Sequence, residues 1–179
     1  MRIGIDISQL AFQNTGVANY LENFVQSLIE SDRENEYILF FSSMRGQLDP
    51  KFAHSIESSR VKVKKYRMPL SLLDLLWNKL HIAHIEMFTG ALDIFVTSDW
   101  VEPPTKKAKK ATILYDLIVY KYPHESTAKI IETQKRKLKW VKQESKAIFC
   151  ISQATKNDVK EILKISEEKL HVIYPGFTL

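Results

Sequence analysis

The run Ala111-Thr-Ile-Leu-Tyr115-Asp116-Leu-Ile-Val-Tyr-Lys-Tyr-Pro123 decides the reading of the fold. A short apolar stretch rich in β-formers ends in a polar pair, Tyr115-Asp116. A breaker, Pro123, then precedes a long helical pattern. The same grammar occurs near the start, where the apolar residues 2–7 lead through a loop to Thr15-Gly16-Val17-Ala18-Asn19-Tyr20. Open parallel sheets build their ligand crevice at strand carboxyl ends of this kind. Two such ends in one chain predict a binding cleft.

Working outward, strand-like runs fall at residues 2–7, 37–42, 61–66, 92–97, 111–115, 147–151 and 170–173. They are rich in Ile, Val and Phe without strict alternation, as strands covered on both faces should be. Helical spacing lies between most of them. Val17, Tyr20, Leu21, Phe24 and Leu28 mark a first amphipathic helix. A second is expected from a Ser71 cap through Leu72, Leu75, Leu76, Leu80 and Ala83. A third, about residues 126–146, should bury Ile130, Ile131, Leu138 and Val141 and expose its lysines and arginine. A fourth begins at Ser152 or Thr155, with Thr155-x-x-Asp158 resembling a capping box, and carries Val159, Ile162 and Leu163. Strands alternating with helices predict an α/β fold, a Rossmann-like parallel sheet of about seven strands flanked by helices.

The 179 residues suit one sizeable core, and 45% hydrophobic with 26% charged residues is ordinary globular composition. No apolar run reaches the roughly 20 residues of a membrane-spanning helix. The opening Met1-Arg-Ile-Gly-Ile-Asp6-Ile7 carries an acid inside its apolar run and reads as a strand, not a signal peptide. One cysteine, Cys150, cannot form an internal disulfide, which favours an intracellular, cytoplasmic setting. Its apolar surroundings predict a buried thiol. The net charge of +5 is uneven: residues 106–146 hold twelve Lys/Arg against four acids. That basic surface, with Lys106, Lys107, Lys109 and Lys110 placed in a loop after Pro103-Pro104, could meet phosphates, nucleic acid or anionic lipid.

Candidate binding residues cluster at predicted strand ends. Gly16, at a helix start, either serves its turn or lets backbone N–H groups approach an anion or a sugar hydroxyl. Asp116 either caps a turn or accepts hydrogen bonds from ligand hydroxyls, beside the Tyr115 hydroxyl. Asp99-Trp100 ends the fourth strand in the same manner, and the indole stacks on a sugar ring or packs. Ser152 ends the sixth strand and caps the next helix, with cleft contact as a second role. Neither the dinucleotide fingerprint nor the P-loop is present. The five histidines suggest no metal site, and His81 and His84, three apart, lack a third ligand nearby.

Taken in order, Ile3-Gly-Ile-Asp-Ile7, Thr15-Gly16-Val17-Ala-Asn-Tyr20, Asp93-Ile-Phe-Val-Thr-Ser-Asp-Trp100, Thr112-Ile-Leu-Tyr-Asp-Leu117, Ile151-Ser152-Gln-Ala-Thr155-Lys-Asn-Asp158 and Lys169-Leu-His-Val-Ile-Tyr-Pro-Gly176 resemble a known pattern. It is the N-terminal half of retaining, nucleotide-sugar-dependent glycosyltransferases of the GT-B type, glycosyl transferases group 1 (family 4). The resemblance implies an acceptor-binding domain over residues 1–174 and the start of a hinge at 175–179 to a C-terminal donor domain. It implies transfer of a hexosyl group from a nucleotide-diphosphate sugar to a saccharide or lipid-linked acceptor, as in polysaccharide biosynthesis. The domain alone should be inactive. It further implies no cofactor and no metal. The basic segment of Lys106–Lys110 with Lys135, Arg136, Lys137, Lys139 and Lys142 is either a solvated helix face or a means of peripheral docking on the anionic inner face of a membrane, where a cytoplasmic protein would meet a lipid-linked acceptor. Asp116 and Tyr115 take the catalytic positions, while Gly16, Val17, Asp99, Trp100 and Ser152 take substrate-binding ones. Two positions depart from the family pattern: Tyr115 stands where relatives carry a sugar-contacting histidine, and Val96 replaces a second histidine. The alternative is a non-catalytic Rossmann-like module that uses its basic face for protein, nucleic acid or membrane.

Overall fold

A computed structural model describes residues 1–176, and of the hinge expected at 175–179 the last three residues lie outside the described ones. Seven strands form one sheet: β1 (Arg2–Asp6), β2 (Glu36–Ser42), β3 (Val61–Tyr66), β4 (Ile94–Thr97), β5 (Lys109–Leu114), β6 (Ser145–Cys150) and β7 (Leu170–Val172). Every pairing is parallel, in the order β3-β2-β1-β4-β5-β6-β7. The fold is the Rossmann-like α/β sheet the sequence predicts. The order reverses between β1 and β4, which creates a topological switch point at the carboxyl edge.

The helices are α1 (Gly16–Ser31), α2 (Pro50–Ser55), α3 (Leu70–Leu73), α4 (Glu86–Thr89), α5 (Ile118–Lys121), α6 (Ala128–Glu144) and α7 (Gln153–Leu163). Thr15 caps α1 by accepting from the Ala18 N–H, and Ala18, Leu21, Val25 and Ile29 pack inward at helical spacing. With Phe52 of α2 they cover one sheet face, meeting Ile5, Leu39, Val96 and Ile113. On the other face, Leu73 and Trp77 pack on Ile38, Phe40 and Phe95, while Leu138, Val141, Val159 and Leu163 cover Leu114, Ile148 and Cys150. Gly4 serves close approach there: a Cβ would lie 2.5 Å from Leu92 Cδ1 and 2.7 Å from Phe95 Cδ2. Cys150 is fully buried, and burial pushes its thiol up to about 11.

Several local expectations are corrected. The second helix starts one residue after Pro69 with no side-chain cap, so Ser71 lies inside it. Past Leu73 it widens into a π-helix over Asp74–Lys79, and the positive φ angles of His81 and Ala83 end it. Ile130 is exposed, whereas Lys137, expected on the solvated face, is buried at 1% exposure. Lys109 and Lys110 belong to β5, not to a loop. Ser152, not Thr155, caps α7, and the Thr155 hydroxyl donates instead to the Tyr115 carbonyl, 2.9 Å away. No helix among the described residues is long and apolar enough to cross a membrane.

Candidate active site

A cleft of about 220 Å³ opens at the carboxyl edge, beside the switch point. Its wall includes Val17 from the loop and helix after β1, Asp99 and Trp100 after β4, Tyr115 and Asp116 after β5, and Gln134 and Lys137 of α6. Five of the residues singled out in the sequence therefore meet in one cavity. Gly16 precedes Val17 at the exposed first turn of α1 but is not in the wall. Its φ is not positive and a Cβ there would meet nothing within 4 Å, so the turn itself does not require glycine; Asn14 carries the positive φ. Ser152 ends β6 and spends its Oγ on the α7 cap, accepting from the Thr155 N–H at 3.0 Å. It too lies outside the wall.

The floor is a polar set pinned from two helices. Gln134 Nε2 donates to Asp99 Oδ1 at 3.2 Å and to the Asp99 carbonyl at 3.3 Å. Lys137 Nζ donates to the Ser98 carbonyl at 2.6 Å. From the π-helix, Asn78 Nδ2 donates to the Trp100 carbonyl at 3.0 Å, and Asn78 Oδ1 accepts from the Glu102 N–H at 3.0 Å. The segment 98–102 is thus tied at four backbone groups, the Ser98, Asp99 and Trp100 carbonyls and the Glu102 N–H, which fixes where Asp99 and Trp100 present their side chains. Sequence reading missed Gln134, Lys137 and Asn78. The available signal was the spacing of 134, 137 and 141 on the inward stripe of α6.

Electrostatics sorts the ionisable groups into roles. Burial raises Asp99, and the Asp116 carboxylate adds to the rise, while Lys137 and the Gln134 hydrogen bond oppose it. Burial raises the Tyr115 hydroxyl well above its ordinary range, with Asp99 adding to it; Ser98 Oγ lies 3.2 Å away. Tyr115 also packs edge-on against Tyr20, centroids 5.6 Å apart. A phenol so placed stays neutral and offers a hydrogen bond rather than acting as a phenolate base. Asp116 is exposed; its Oδ1 accepts from the Ile118 N–H at 3.0 Å, leaving Oδ2 for a ligand. Burial lowers Lys137, against the pull of Glu102, Asp99 and Asp6. Asp6, at the end of β1, is buried and raised by that burial, although Asp6 Oδ1 accepts from the Ser8 N–H at 2.9 Å.

Behind the cleft, charges continue inside the protein. Lys110 Nζ lies 2.7 Å from Glu144 Oε2 and 3.1 Å from Glu102 Oε1, the second an ion pair without hydrogen-bond alignment. Thr97 Oγ1 donates to Glu102 Oε2 at 2.6 Å, and the Thr97 and Thr112 hydroxyls are 2.7 Å apart. His81 Nε2 is 2.8 Å from Glu144 Oε1, and the His81 ring stacks on Trp140 at 3.5 Å. No group of three or more His, Cys, Asp or Glu among the described residues is placed to hold a metal ion.

Residues 14–179 match Glycosyltransferase Family 4. The chain belongs to that family. Its cleft is accordingly that of a glycosyltransferase-type domain, a family whose members act on a sugar donor and an acceptor. No curated protein matches the sequence. Among solved structures, a short-chain dehydrogenase/reductase (wide type) from Veillonella parvula DSM 2008 in complex with NADP is similar over 83% of this chain and 68% of its own, at 7% identity and a TM-score of 0.45.

Proposed function

We propose that this chain is the acceptor-binding domain of a retaining glycosyltransferase that moves a hexosyl group from a nucleotide-diphosphate sugar to a saccharide or lipid-linked acceptor. One observation carries the reading: an indole, two carboxylates and a neutral phenol converge in one cleft at the switch point of a family 4 sheet. That set suits a sugar. An aromatic face receives the apolar C–H side of a pyranose, and carboxylates accept from its hydroxyls. Asp116 Oδ2 binds and orients the acceptor hydroxyl, Asp99 is shaped for a second hydroxyl, and Tyr115 contributes a fixed donor. The Gly16-Val17 turn faces the donor, which a C-terminal domain over residues beyond the hinge at 175 would hold. Without that domain the chain binds but does not turn over, since transfer needs both substrates enclosed and water excluded. The setting is cytoplasmic and peripheral to a membrane face, in polysaccharide biosynthesis.

The test is an amide NMR titration of the 179-residue chain with mono- and disaccharides of glucose, galactose, mannose and N-acetylglucosamine. Shifts centred on Val17, Asp99, Trp100 and Asp116 are expected with at least one of them, and no sugar transfer. Saccharides that perturb nothing at this edge, or turnover by the chain alone, would overturn the reading.

A further inference from the structure

A second cavity, about 330 Å³, adjoins the cleft and shares Trp100 and Ile130 with its wall. Its character is different. Leu70 and Ile130 line it together with Trp100, and both aliphatic side chains are exposed although they belong to helices with well-packed inner faces. Two lysines, Lys79 and Lys129, also line it. Neither makes an ion pair or a side-chain hydrogen bond among the described residues. The one acid present, Asp74, is already occupied: Arg136 Nη2 lies 2.8 Å from its Oδ2, and Asn78 Nδ2 donates to its Oδ1 at 2.9 Å. The groove therefore offers an apolar bed with two unspent positive charges, next to a cleft whose exposed acid, Asp116, is negative.

We propose that this groove holds the apolar chain of the acceptor, with Lys79 and Lys129 on an anionic phosphate that joins the chain to the saccharide. The inference rests on the cleft being the acceptor site. Two features select this occupant. Continuity through Trp100 means that one ligand can lie in both cavities, its sugar against Asp99 and Asp116 and its tail against Leu70 and Ile130. Charge complementarity requires an anion on the groove side, because two free ammonium groups beside an apolar surface favour a phosphate over a neutral linkage. A purely soluble saccharide would leave the apolar bed wet, and an anion without a chain would leave it uncovered.

The experiment uses the full chain and three probes below their micellar concentrations: dodecyl phosphate, dodecyl maltoside and inorganic phosphate. The Trp100 indole N–H is the reporter, since those of Trp77 and Trp140 are committed to the Ala83 and Asn78 carbonyls. Dodecyl phosphate should shift Trp100, Ser71, Lys129 and Thr133 and bind at least tenfold more tightly than either other probe. The double variant Lys79→Ala, Lys129→Ala should weaken it tenfold or more. Both lysines are exposed, so folding is not at stake. Equal binding of dodecyl phosphate and dodecyl maltoside, or binding unchanged in the double variant, would overturn the proposal. If saccharides bind the cleft while dodecyl phosphate avoids the groove, the groove proposal fails and the acceptor-domain reading stands. If dodecyl phosphate binds but no saccharide does, the acceptor reading fails and takes with it the joined ligand proposed here.

Discussion

Lys137 Nζ donates to the main-chain carbonyl of Ser98 across 2.6 Å, joining α6 to the end of β4 inside the protein. The bond crosses 39 residues of sequence and forms the floor under Asp99 and Trp100. Its cation also faces the buried acids Asp6, Asp99 and Glu102. Lys137→Met keeps the length and apolarity of the stem but leaves the Ser98 carbonyl unpaired. Such a loss costs about 1–3 kcal/mol. We expect urea unfolding to register a loss of that size, and the Trp100 indole signal to broaden as its loop gains freedom. A variant as stable as the parent with an unmoved Trp100 signal would remove Lys137 from the positioning role.

The interior ion cluster predicts strong coupling. Glu102 is fully buried, and Lys110, at 3% exposure, is the cation beside it. Removing one partner of a buried pair costs about 3–5 kcal/mol because the other charge is stranded, whereas replacing both is often close to neutral. Lys110→Met should therefore destabilise by about that amount, and Glu102→Gln in the same chain should restore part of it, because Glu144 still loses Lys110 and keeps only His81 beside it. A double-mutant cycle by chemical denaturation measures the coupling directly. Additive losses would show that the two charges do not depend on each other.

The sheet was legible because its inner strands are covered on both faces and helices of clear period lie between most strands, so local composition sufficed for the inner strands and also for the edge strands β3 and β7, whose faces are partly exposed. The cap at Ser152 was legible for the same local reason. What sequence could not reveal is where a charge finds its partner. Lys110 and Lys137 look like surface lysines until Glu102, Glu144 and the Ser98 carbonyl are brought to them by the fold. The π-helix was hidden too: its leucines fit an ordinary helix, while the wider turn serves Asn78, whose contacts lie at Trp100 and Glu102. Four cleft residues, Asp99, Trp100, Tyr115 and Asp116, were found by one rule, side chains at strand ends, and Val17 came from the family resemblance. Gln134 and Lys137 escaped it because they sit mid-helix.

Gly16 separates stability from function. Its backbone has no positive φ and the space around a Cβ is open. Gly16→Ala should then stabilise the chain by about 0.4–1 kcal/mol, through the loss of unfolded-state freedom. On the proposed reading, in which the Gly16-Val17 turn faces the donor, the same methyl would stand where donor approaches backbone, and turnover in the presence of a donor domain should fall at least tenfold. Thermal unfolding and sugar-nucleotide turnover read the two effects separately. Unchanged turnover would return Gly16 to a simple helix start.

Asp116→Asn isolates charge from geometry at the cleft. The amide oxygen can still accept from the Ile118 N–H, so the turn survives, and an exposed position of this kind shifts stability by about 0.5 kcal/mol or less. Loss of the carboxylate should weaken saccharide binding tenfold or more. Binding unchanged within twofold would confine Asp116 to its turn.

Asp6 and Glu144 should give pH profiles of opposite sign. Burial works to raise Glu144, but Lys110 and His81 outweigh it and hold the carboxyl below its ordinary value. Its contribution to stability is therefore complete above the ordinary carboxylate range, about pH 4, and is lost as pH falls through the lowered value. Asp6 is raised by burial, so the folded state holds its proton longer than the unfolded chain does. Its contribution is complete below about pH 4 and is lost as pH rises through the raised value. Urea unfolding across the acid-to-neutral range should show Glu144→Gln weakest relative to the parent near neutrality, with the gap closing on acidification. Asp6→Asn keeps an acceptor for the Ser8 N–H and should gain on the parent as pH rises from the same starting point. Parallel curves for all three proteins would mean that neither carboxyl is perturbed by the surroundings described.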